Sequence, residues 1–107
     1  MTRCEFFTEG DRITGFSVSG HSGYAEAGSD IVCASITAAV TMAEAIINDV
    51  CGGKAKVRVK EADARITLTL PTVCEEEETI QSVLAGMMLY LINLRDDYED
   101  YIEVLEV

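Results

Sequence analysis

The chain is 107 residues long and 49% hydrophobic, and it carries 19 acids against eight bases for a formal net charge of −11. That length holds one domain over residues 1–107 with a real core and excludes two. The acid excess repels phosphate backbones, so it argues against direct nucleic-acid binding and for a basic protein partner; as a bland alternative it only keeps the protein soluble.

The strands and helices follow from spacing. Arg3 to Thr8 and Arg12 to Ser19 are rich in Phe, Ile, Val and Thr, with Glu9-Gly10-Asp11 as the turn of a hairpin. The apolar parity slips from odd at Ile13 to even at Phe16 and Val18, which predicts a bulge near Gly15. Gly20 to Gly28 is a loop with three glycines, Gly20, Gly23 and Gly28. Ser29 or Asp30 then caps a helix whose inner stripe is Val32, Ile36, Ala39, Val40, Ala43, Ile47 and Val50, ended by Gly52-Gly53.

Lys54 to Lys60 alternates strictly, which turns Ala55, Val57 and Val59 inward and the basic residues to water. Ile66, Leu68 and Leu70 repeat the pattern after a turn at Glu61-Ala62-Asp63. Thr72 and Glu75 have the spacing of a capping box, and Ile80, Val83, Leu84, Met87, Leu91 and Leu94 form the buried stripe of a second helix. A strand from Tyr101 to Val107 closes the chain. The fold class expected is α+β, in ββαββαβ order, with a mainly antiparallel sheet and two helices packed on one face.

The charge is localised. Residues 75–107 hold ten acids and one base, whereas residues 1–74 hold nine acids and seven bases. The longest apolar run, Leu84 to Ile92, is nine residues where a membrane span needs roughly 20. The opening MTRCEFFTEG lacks the apolar core and cleavage site of a signal peptide. A cytoplasmic protein without a membrane partner is the expectation. The four cysteines, Cys4, Cys33, Cys51 and Cys74, have neither zinc-knuckle nor CxxC spacing, so reduced thiols and no metal are expected.

The chemistry concentrates in GHSGYAEAGSDIVCASIT, residues 20–37, which contains the sole histidine, His21. A cap at Ser29 or Asp30 puts Cys33 in the first helical turn, where free N–H groups favour a thiolate and an oxyanion. An imidazole on the glycine loop could reach the sulfur and later protonate a leaving amine. On the residues alone, the commoner reading of Cys33 is a small buried hydrophobe and that of His21 a solvated loop residue.

The run GHSGYAEAGSDIVCASITAAV resembles the signature of the ribosomal-processing cysteine proteases: Gly20-His21, Gly28 and Asp30-Ile31-Val32-Cys33-Ala34 all match. The resemblance covers nearly the whole chain. It implies a cytoplasmic homodimeric endopeptidase, without cofactor, that removes a short N-terminal extension from the precursor of a large-subunit ribosomal protein, cutting after a Phe-Phe pair. By the same resemblance Cys33 is the nucleophile and His21 the general base and acid. Asp30 and Thr37 support them, and Gly20, Gly23, Tyr24 and Gly28 belong to a mobile loop over the site. The alternative is a non-catalytic dimeric module that binds a basic ribosomal or assembly protein through the acidic C-terminal third.

Overall fold

A computed structural model describes the backbone of residues 1–20 and 27–107, and the side chains of residues 1–20 and 31–107. Two strands, β1 (Thr2–Glu9) and β2 (Arg12–Ser19), form the expected hairpin. Phe7 pairs with Gly15 and Thr8 with Ile13, so Thr14 is the extra residue of a bulge. The parity slip is therefore real, and it puts Ile13 and Phe16 on the same buried side. At Gly15 a Cβ would stand 2.1 Å from the Leu68 carbonyl oxygen, so only glycine lets β2 approach its neighbour here.

Helix α1 (Ala27–Glu44) runs on into a π-helical turn, Ala45–Val50. Then come β3 (Lys56–Lys60), a 3-10 turn at Glu61–Asp63, β4 (Arg65–Thr69), α2 (Glu77–Asp97) and β5 (Ile102–Glu106). The sheet order is β3-β4-β2-β1-β5, antiparallel throughout except that β5 runs parallel to β1. The C-terminal strand is stitched in beyond its own ladder, since Val107 N–H donates to Phe6 O at 2.8 Å and Thr8 N–H to Val107 O at 3.0 Å.

Both helices cover one sheet face. Cys4, Phe6, Phe16, Leu68 and Ile102 meet Val32, Ile36 and Ile47 from the first helix and Ile80, Leu84 and Leu91 from α2 in one core. On the opposite face, the buried Ser17 hydroxyl accepts from Arg65 (2.8 Å) and Thr67 (3.3 Å). Two side-chain amides do the work of missing strands: Gln81 bonds both Ile13 N and O at 2.8 Å, and Asn48 bonds Ala55 N at 2.8 Å and O at 3.1 Å. Each satisfies a backbone pair that the bulge or the loop leaves open.

Five expectations need correction. Helix α1 starts at Ala27, so Ser29 and Asp30 are not its cap and Gly28 is helical rather than part of the loop. An acid in the first turn suits the helix dipole as well as one at the cap, so the local sequence does not fix the start. Similarly, α2 starts at Glu77 after Glu76 in a left-handed conformation, with no capping hydrogen bond, so Thr72 and Glu75 form no capping box. Tertiary contact decides there: the Arg12 guanidinium donates to Glu77, to Pro71 O at 2.8 Å and to Cys74 Sγ at 3.6 Å.

Val59, expected inside, is 68% exposed, because β3 is an edge strand and the helix layer stands away from its end. Finally, Ile31–Val50 is long and apolar enough to cross a membrane by length and composition, with a mean hydropathy of 1.7. Serines and threonines break its apolar run, which is why run length missed it. Its inner stripe, from Val32 to Ile47, is part of the core described above, but Val50, expected on that stripe, is 77% exposed, because the wider π-helical turn Ala45–Val50 shifts its last residue off the 3.6-residue face.

Candidate active site

A groove of about 540 Å³ lies between α1 and the β3–β4 hairpin. One wall is a single helical stripe, with Cys33, Ile36, Thr37, Val40, Thr41 and Glu44 at spacings of three and four residues. The floor is apolar, with Val18 from β2 and Ile66 from β4. Val59, Lys60, Glu61 and Arg65 make the opposite wall, and Thr2 and Gly20 also line it.

Cys33 is half-buried, and the structure brings Thr37 onto the same groove one helical turn further on. The Cys33 residue is the seventh of α1, about 9 Å along the axis from its first. The free N–H groups of the helix start therefore lie one to two turns before the sulfur, and the first-turn argument for the thiolate does not carry over. His21, Gly23 and Tyr24 lie outside the described residues. Of Asp30 and Gly28 the structure gives only the helical backbone.

Gly20, expected at the start of the loop, is held on both sides. Its N–H donates to Asp63 O at 3.3 Å, and at φ +79° a Cβ would stand 2.8 Å from Met1 O. A side chain would therefore push apart the end of β2 and the start of β1.

The other thiols differ from Cys33 in setting. Cys4 is fully buried, and burial pushes its thiol up to about 12. Burial also raises the Cys74 thiol, with the Glu77 carboxylate adding to the effect and Arg12 opposing it. Cys51 is buried in the core. Neither Cys4, Cys51 nor Cys74 lines the groove.

The groove's charges are unevenly engaged. Lys60 pairs with Asp63 at 3.3 Å, while Arg65 donates to Ser17 and stands 3.8 Å from Glu5. Sequence reasoning missed Glu44 and the hairpin wall. A glutamate at i+11 from Cys33 was there as a signal, since that spacing returns to the same helix face.

The family model described as cysteine protease Prp matches residues 1–103. The chain belongs to this family. The Prp relatives bear out the resemblance seen in the GHSGYAEAGSDIVCASIT run. Ribosomal processing cysteine protease Prp of Bacillus subtilis (strain 168) is 29% identical over 94 residues, covering 86% of this chain and 84% of the relative.

The crystal structure of the essential ribosomal processing protease Prp from S. aureus in complex with a substrate peptide matches with a TM-score of 0.87 at 17% identity, over 100% of both chains. The same S. aureus protease with a covalently linked product peptide matches at 0.85 and 18%, again over 100% of both. SMU.848 from Streptococcus mutans matches at 0.89 and 18%, covering 100% of this chain and 94% of that one. These structural matches establish the Prp fold, α+β with a mixed sheet, for this chain.

Proposed function

We propose that this chain is an endopeptidase that trims the N-terminal extension from the precursor of a large-subunit ribosomal protein, cutting after a Phe-Phe pair. The observation that carries the reading is Cys33 on the wall of an apolar-floored groove in a chain of the Prp family. Val18, Ile36, Val40 and Ile66 give that groove the apolar surface that aromatic side chains next to a scissile bond would bury.

In this reading the Cys33 thiolate adds to the carbonyl carbon of the second Phe, giving a tetrahedral oxyanion. Collapse breaks the C–N bond, His21 gives its proton to the leaving amine, and an acyl-enzyme remains. His21 then takes a proton from water, whose oxygen attacks the thioester and releases Cys33. Because Cys33 sits beyond the first helical turn, its activation falls to the imidazole more than to the helix start. Asp30 and Thr37 act in support, and Gly23 and Tyr24 are assigned to a loop over the substrate that Gly20 anchors at the end of β2. The protein works in the cytoplasm, as a homodimer and without a cofactor.

The test is to incubate the protein with the precursor and follow its mass. Wild type is expected to remove the extension, while Cys33→Ala and His21→Ala are each expected to lower the rate by at least about 10²-fold. An intact precursor with wild type, or trimming by Cys33→Ala at the wild-type rate, refutes the assignment.

A further inference from the structure

Glu44 closes the α1 wall of the groove eleven residues after Cys33, which is three helical turns and so the same helix face. The residue is half-buried, and its carboxylate has no ion-pair or hydrogen-bond partner among the described residues. Glu61, on the facing wall, is likewise without an ion pair there. Neither basic lining residue neutralises them: Lys60 is paired with Asp63, and the Arg65 guanidinium is turned to the opposite sheet face, where it meets Ser17 and Glu5. An incoming positive charge thus meets two carboxylates without an ion-pair partner among the described residues, which would attract it and repel a negative charge.

We propose that Glu44 forms a subsite for a lysine or arginine side chain of the substrate. The inference rests on the protease reading and adds a second determinant to it. Eleven helical residues rise about 16.5 Å, and an extended peptide covers that distance in about five residues at roughly 3.3 Å each. The cation therefore lies about five residues from the scissile bond, with Ile36 and Val40 along the apolar stretch between.

The test uses the intact protein and matched peptides that share one cleavage sequence and carry Lys, Gln or Glu five residues before or five residues after the scissile bond. Wild type is expected to favour Lys over Gln at one of these two positions by about two- to fivefold in kcat/KM, mostly through KM. The preference should shrink as salt is raised. Glu44→Gln should erase it, and Glu44→Lys should turn it towards the Glu peptide; thermal unfolding checks that both variants fold like wild type. If wild type cuts the peptides without preference, or if Glu44→Gln keeps the wild-type preference, the inference fails and the protease reading stands. Failure of wild type to cut any of the peptides, or the full precursor, overturns both.

Discussion

Thr2 is 3% exposed and its hydroxyl has no hydrogen-bond partner among the described residues, whereas the equally hidden Ser17 has two. A buried unpaired hydroxyl costs its desolvation without return, so replacing it with a methyl group of the same shape removes a penalty. Thr2→Val is therefore expected to leave the melting temperature unchanged or to raise it. A loss equivalent to more than about 1 kcal/mol would show that the hydroxyl does have a partner. This residue looked like any strand threonine in the sequence, because pairing is a property of neighbours. Cys33 stood out in the sequence for the opposite reason, because its own motif marked it, and the structure places it on the groove. Glu44 and Val59 did not, since one lies outside that motif and the other follows an alternation that does not tell a covered strand from an edge.

Among the elements, the junction of β2 with α2 depends on one ion pair. The hydrogen bond from Arg12 holds the Glu77 carboxyl below its ordinary value of 4.5, against a smaller upward effect of burial. A carboxylate with a depressed folded value contributes stability that is present above the ordinary value and is lost as pH falls through the folded one. The melting-temperature gap between wild type and Glu77→Gln should thus be present at neutral pH and close as pH falls below the ordinary carboxyl value of 4.5 and through the lower folded one. It should be small, since both side chains are partly exposed, at 26% and 37%. A gap that is independent of pH would put the contribution in packing instead. Element existence and order were readable from periodicity, and so was the bulge, because an extra residue within a hairpin strand shifts the alternation by one. Helix starts were not: Arg12 lies 65 residues from Glu77, and no local pattern reports a contact of that range.

At the scale of the molecule, two properties stand out that neither residues nor elements carry alone. Five of the eight bases, Lys54, Lys56, Arg58, Lys60 and Arg65, lie on or beside the β3–β4 hairpin, so the net charge of −11 conceals a cationic edge. Lysines on an edge strand also discourage a further strand from pairing there. On the helix layer, by contrast, Met42, Val83 and Tyr90 line an apolar groove of about 480 Å³ floored by small residues such as Ala39 and Gly86. That face is where we place the homodimer contact proposed above. Sedimentation should give twice the chain mass, falling towards one chain in Met42→Lys; a wild-type monomer at micromolar concentration would refute the dimer. The parallel seam between β1 and β5 has a practical consequence. Thr2, beside the groove, pairs with Ile102, whereas Val107 binds Phe6 and Thr8 at the far end of β1. A purification tag or fluorophore joined ahead of Met1 would thus crowd the mouth that Gly20 frames, while one joined after Val107 would leave from the opposite rim, about 20 Å away.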